Sequence, residues 1–142
     1  MTQENSLDRF IKAQQNDYAT ALSEIKKGKK RSHWMWYIFP QLRGLGMSET
    51  ARFYGIQDKQ EAMDYLNTQV LSKRLIEICE ALLALPGNDP HYIFGSPDDM
   101  KLKSSMTLFA SLPNANPVFE QVLSKYYDGD RDQKTLQLIN HK

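Results

Sequence analysis

Three times along this chain a helix-capping residue stands directly before a proline, at Asp89-Pro90, Ser96-Pro97 and Asn116-Pro117. The capping side chain accepts from free amides of a first helical turn, and proline at the next position has no amide to leave unpaired. The pattern predicts helix starts, and the segments between them agree. Leu7, Phe10, Ile11, Gln14, Tyr18, Leu22 and Ile25 recur at helical spacing, all but Gln14 apolar. Ser6 caps that helix, Asp8 suits its first turn, and Gly28 follows its cationic end. Asp58 and Glu61 have capping-box spacing for a helix over roughly 59–66. Leu71, Leu75, Ile78, Cys79, Leu82 and Leu83 mark a core helix closed by Pro86-Gly87. Ser32 opens a short aromatic helix that Pro40 ends near Phe39, and Ser48 opens another that stops at Gly55. Gly129 ends the helix after Pro117, and Leu136 and Ile139 predict a last turn or two. No segment alternates as a strand does, and no Asn-Gly hairpin signal occurs. The expected fold is all-α: a single domain over 1–142, core about 7–139, of seven or eight short helices.

A chain of 142 residues can bury about two thirds of its unfolded surface in one core. With 41% hydrophobic and 25% charged residues it has the composition of a globular protein, not of a disordered one. The net charge of +1 argues against a dedicated non-specific nucleic-acid binder, although five of the six residues 26–31 are cationic. One cysteine excludes an internal disulfide and fits a reducing compartment. The first residues, MTQENSLDRF, have no apolar signal region, and no apolar stretch approaches a membrane span. The expectation is a cytoplasmic protein without membrane contact.

The segment Lys29–Met47, KKRSHWMWYIFPQLRGLGM, mixes cations, a histidine and both tryptophans in a span too short for a long helix. Such clusters suit planar or anionic ligands, because ring faces stack and guanidinium or ammonium groups supply fixed charge. Trp34 and Trp36 point in different directions on a helix, so at most one faces a ligand. His33 titrates near neutrality and suits an acid, a base or a ligand, or equally a partly buried structural role. Arg43, in a glycine-flanked loop, has the freedom to clamp a carboxylate or phosphate. Lys29, Lys30 and Arg31 also follow a helix C-terminus, where cations are favoured for structural reasons.

A second polar group lies on the helix that begins at Pro97. Leu102, Met106, Phe109 and Leu112 define its core face, and Asp98, Lys101 and Ser105 fall along the edge of that face. Polar groups there must be bonded, since desolvation without a partner costs about 1–3 kcal/mol for a neutral group. In a structural reading Asp98 helps cap the helix, Lys101 reaches outward, and Ser105 bonds a carbonyl one turn back. In a functional reading they line a cleft whose other wall is the tryptophan segment. Gly95-Ser96 then precedes a helix N-terminus able to hold an anion. His33, His91 and His141 share no metal-ligand spacing, and Cys79, on an apolar stripe, is inert core, so no metal is expected. No glycine-rich phosphate loop is present and no cofactor is expected. A pairing of Ser104 or Ser105 with His33 stays open. Tyr126 and Tyr127 read as packing residues.

At RSHWMWYIFPQLRGLG, YGI, EAMDYLN, LLALPG and FGSPDDMKLKSSMTLF the chain resembles a bacterial family, the domain-of-unknown-function family numbered 1810. The likeness covers roughly 7–138. It implies an all-helical fold and carries no catalytic role. It marks positions: Arg31, Ser32, His33, Trp34, Trp36, Pro40, Gln41 and Arg43 in one string, and Ser96, Asp98, Asp99, Lys101, Ser104 and Ser105 in the other. The label "calpastatin", sometimes attached to such proteins, fits poorly. An inhibitor of that sort resembles a disordered repeated polypeptide, whereas this chain is non-repetitive and patterned for a core.

Three functions compete. The first is binding of a small anionic, planar ligand, nucleotide-like or phosphorylated, between segments 29–47 and 95–109. If it also catalyses, His33 and either Asp98 or Asp99 transfer protons there, with Lys101 and Arg43 stabilising negative charge. The second is a non-enzymatic module that engages a protein partner through an exposed patch of Trp34, Trp36 and Phe39. The third is weak nucleic-acid binding through Lys26–Arg31.

Overall fold

The capping devices act at two of their three proline sites. In the computed structural model, which describes residues 7–140, Asp89 accepts from the amides of His91 and Tyr92 at 3.0 and 3.3 Å. Asn116 accepts from the amide of Val118 at 2.9 Å. At Ser96-Pro97 the peptide bond is cis, Pro97 takes the N-cap position without a side-chain bond, and the helix begins at Asp98. Ser96 is exposed and caps nothing. The cap expected of Ser6, like His141, lies outside the described residues. At the capping box, the amide of Glu61 donates to Asp58 Oδ1 at 2.9 Å. The reciprocal bond goes elsewhere, because the Glu61 carboxylate accepts from the amide of Gln57 and pairs with Arg9.

Nine helices form among the described residues: α1 Asp8–Lys26, α2 Met35–Ile38, α3 Glu49–Tyr54, α4 Lys59–Asn67, α5 Gln69–Ala84, α6 Pro90–Phe94, α7 Asp98–Ala110, α8 Pro117–Tyr127 and α9 Gln133–Asn140. No strand occurs among them, only one isolated parallel bridge between Leu42 and Ile56. Gly28, at a φ of +83°, adopts the left-handed conformation that ends α1. The aromatic helix starts later than its sequence predicts, at Met35, with Trp34 at the N-cap and no side-chain cap. Ser32 is instead drawn to a carboxylate of α1. No described helix is long and apolar enough to cross a membrane.

α1 packs on α5 and α2, α5 on α4 and α8, and α7 on α6, α8 and α9. A line of rings runs through the centre. Phe10 meets Tyr65 at 5.2 Å, Tyr65 meets Phe109 at 5.4 Å, and Phe109 meets Phe119 at 5.6 Å between centroids. These rings tie α1, α4, α7 and α8 together, each pair adding about 0.5–1.5 kcal/mol beyond its area. Gln14, the polar exception on the α1 stripe, is buried as well. It donates to Tyr37 O at 2.8 Å and to the Tyr65 hydroxyl at 3.0 Å.

α7 departs from the expectation of a single core face. Leu102 and every residue from Ser104 to Phe109 are buried, because neighbours cover the helix on several sides. Two of its hydroxyls, not the Ser105 hydroxyl expected to do so, bond carbonyls one turn back. Ser104 donates to Met100 O at 3.2 Å, and Thr107 donates to Lys103 O at 2.8 Å while accepting from the Asp132 amide at 2.9 Å. Ser105 Oγ is buried without a partner.

Candidate functional site

Glu24, near the end of α1, organises the cationic-aromatic segment. Its Oε1 accepts from the amides of Arg31 and Ser32 at 2.8 and 3.1 Å and from the Trp34 indole at 2.9 Å. Its Oε2 accepts from the Ser32 hydroxyl at 2.6 Å. Desolvation pushes this carboxyl up, but the bonds from Ser32, Arg31 and Trp34 outweigh it and hold it below the ordinary range. The loop after Gly28 is thereby folded back, and Trp34 enters the core with its N–H satisfied.

This placement corrects the expected aromatic anchor. Trp34 and Phe39 are each 1% exposed and pack on Phe94 and on one another. Only Trp36 remains half-buried at the surface. Two tryptophans two positions apart on a short helix cannot share an environment, and here one fills the core while its neighbour borders solvent.

The two signature strings do meet. Lys30, whose side chain is nearly buried, reaches Asp98 at 3.0 Å, donates to Ser32 O at 2.5 Å and lies over the Trp34 ring at 5.1 Å. Asp98 also pairs with Lys101 at 3.5 Å, and the Lys101 ammonium stands 5.0 Å from the Trp36 ring centroid. Asp98 is therefore an ion-pair partner, not a cap, and Lys101 lies across Trp36 instead of reaching away. Two cations share one carboxylate, which leaves a positive surplus beside an accessible indole.

The meeting place is a closed seam. Trp36, Gln41, Ala51, Tyr54, Gly55 and Lys101 border an indentation with about 10 Å³ of room, no more than one water needs. The open cleft expected between 29–47 and 95–109 is absent at this seam, because Lys101 packs directly on Trp36. Arg43 abuts Gly55 at the border of this indentation. Its Nε donates to Arg52 O at 3.1 Å, and its backbone lies so close to Gly55 that a Cβ on that glycine would come within 2.7 Å of Arg43 Cα.

The remaining candidates scatter. Arg31 and His33 are exposed. His33 makes no ion pair with Asp98 or Asp99 among the described residues, and its carbonyl accepts from the Tyr37 hydroxyl at 3.3 Å. It is His91 that meets the second string, with Nδ1 at 3.4 Å from Asp99 Oδ2. Asp99 also accepts from the Met100 amide at 2.9 Å. Ser104 and Ser105 are 7% and 0% exposed and reach no surface ligand, and neither pairs with His33. Lys30, Glu24 and Tyr54 are the residues the sequence did not single out. Lys30 sat inside a cationic run with nothing to separate it from Lys29. Glu24 occupied an ordinary polar position of α1.

The crystal structure of the conserved hypothetical protein Rv1873 from Mycobacterium tuberculosis is similar to this one, with a TM-score of 0.92 and 46% identity. The match covers 94% of this chain and 96% of that chain. No curated protein matches the sequence. The sequence profile described as "Protein of unknown function (DUF1810)" matches residues 4–139. With nearly the whole chain inside that match, the protein belongs to the DUF1810 family.

Proposed function

We propose that the protein binds a small anionic, planar ligand, nucleotide-like or phosphorylated, at the face where Lys101 lies over Trp36. One observation carries the reading: an ammonium held 5.0 Å from the centroid of a half-buried indole, beside a carboxylate already shared by two lysines. A planar anion can take the place of the ammonium on the ring while the ammonium turns to the ligand's charge. The contact given up is worth about 0.5–1 kcal/mol at a partly exposed site. The charge-assisted bond gained is worth about 1.5–3 kcal/mol. Gln41 borders the same indentation as a further donor. Binding is better supported than acid–base chemistry, because His33 makes no ion pair with either acid of the second string. The patch of Trp34, Trp36 and Phe39 gives a protein-interaction role no support, two of the three being core. The single thiol, Cys79, is buried and pushed up by desolvation, in keeping with a structural residue in a reducing cytoplasm.

The test is thermal unfolding against nucleotides, sugar phosphates, dinucleotides and ADP-ribose, followed in parallel by tryptophan fluorescence. A ligand at 100 times its Kd stabilises by about 2.7 kcal/mol, a shift of several degrees in a domain of this size. The shift should disappear in Lys101→Ala, and ligand-dependent quenching should disappear in Trp36→Phe. A flat panel, or a shift unchanged in both variants, overturns the proposal.

A further inference from the structure

A separate cavity of about 550 Å³ opens between the end of α1 and the connection from α5 to α6. Its volume lies within the range of small-molecule sites. Lys26, Lys27 and Gly28 form one wall, the segment 85–89 forms the floor, and Tyr92 and Ile93 complete it. Tyr92 is 63% exposed, and the Lys29 ammonium stands 4.8 Å from its ring centroid.

The charges do not balance. Lys26, Lys27 and Lys29 make no ion pair among the described residues, in contrast to Lys30, which is committed to Asp98. The C-terminal end of α1 carries about half a negative charge, enough to account for part of one lysine and not for three. Two acids lie close by. Glu24 is occupied by Arg31, Ser32 and Trp34, and Asp89 Oδ1 is occupied by the amides that begin α6. Lys27 forms a ridge between this cavity and a second depression of about 400 Å³, which Glu24, Lys29 and Arg31 also line. The ridge is therefore reachable from both sides. A Cβ built on Gly28 or Gly87 meets nothing within 4 Å, so the backbone at both positions is unobstructed.

We infer that this cavity binds a base–phosphate unit, with the base stacked on Tyr92 above Leu85 and Pro86 and the phosphate held by Lys27 and Lys29. The exposed ring supplies the stacking platform and the unpaired lysines supply the charge, the combination by which single nucleotides and unpaired strands are held. The polarity follows from Asp89. Its second oxygen repels phosphate and can accept from an exocyclic amino group, so the base lies at the α6 end. A free nucleotide satisfies this arrangement, and so does one residue of a single strand crossing the ridge. The site is distinct from the Trp36 face and stands or falls independently of it.

Isothermal titration with AMP, adenosine, inorganic phosphate and a short oligodeoxyadenylate tests the inference. AMP should bind more tightly than adenosine or phosphate, and its affinity should fall as salt rises. Tyr92→Ala should weaken AMP about tenfold or more. Lys27→Ala and Lys29→Ala should weaken AMP while leaving adenosine unchanged, and the loss caused by Tyr92→Ala should persist when Trp36→Phe is combined with it. All three altered side chains at the cavity are exposed, and unchanged unfolding curves would show the variants folded. An oligonucleotide that binds more tightly than AMP supports the site and identifies its ligand as a strand. Equal or weaker binding supports the site with a free nucleotide. Absence of binding by both AMP and the oligonucleotide, or binding unaffected by Tyr92→Ala, would overturn it.

Discussion

Glu24 gathers four hydrogen bonds from three residues on the loop that follows its own helix, and that single carboxylate decides which tryptophan is buried. Its native titration lies below the ordinary 4.5. A carboxyl lowered in the folded state contributes stability above its unfolded pKa, and that contribution is lost as pH falls through the folded value. Glu24→Gln should therefore destabilise the protein by about 1–3 kcal/mol at neutral pH. The difference from the native protein should shrink below pH 4.5, as denaturant titrations at pH 7 and in acid will show. Ser105 is the opposite case, a buried hydroxyl without a partner. Ser105→Ala removes a desolvated polar group and improves helix propensity, so stability should hold or rise by up to about 1 kcal/mol. A loss larger than that in a urea titration would mean that the hydroxyl has a partner, such as a buried water. Neither role was legible in the sequence. Glu24 acts on residues beyond the turn that ends its helix, and the burial of Ser105 is set by helices distant in the chain.

At the level of elements, local chemistry was legible wherever the contact is local. Asn116 and Asp89 cap because the amides they receive are two or three residues away. Ser96 resembles them in sequence and fails, since the helix begins after Pro97 and leaves the serine outside it. Asn116→Ala should accordingly cost about 0.5–2 kcal/mol. Ser96→Ala should change stability by less than about 0.5 kcal/mol. Paired thermal melts compare the two directly. Gly55 makes a different point. Its φ is −64°, which any residue adopts, yet a Cβ there would lie 2.7 Å from Arg43 Cα. Gly55→Ala should push the segment around Arg43 away from α3 and cost about 1–3 kcal/mol by overpacking. It should also loosen the bridge between Leu42 and Ile56, seen as faster amide exchange at Arg43 and Ile56, whose amides donate across it.

Across the whole molecule, Arg9 is the side chain that fastens the first helix to the middle of the chain. It lies off the apolar stripe of α1, yet its side chain is 2% exposed. It donates to Phe53 O at 2.8 Å, to Gly55 O at 3.0 Å, and to both oxygens of Glu61 at 3.1 and 3.2 Å. Arg9→Ala leaves Glu61 and two carbonyls short of a donor and should cost about 3–5 kcal/mol. That is a fall in Tm on the order of ten degrees for a domain of this size. Arg9→Met combined with Glu61→Gln should recover much of the loss in calorimetry, because the unpaired charge is gone.

The helical class, most helix boundaries, the core position of Cys79 and the family were all legible from the order of residues. These depend on apolar periodicity and on contacts within one turn, which adjacent residues fix. Packing between distant segments sets Trp34 in the core while Trp36 borders solvent, ion-pairs Lys30 while Lys29 makes no ion pair among the described residues, and closes the two signature strings on each other as a seam. Each of those outcomes depends on which distant group supplies a partner or displaces water. Arg9 and Glu61, separated by 52 positions, become neighbours only when the whole core assembles.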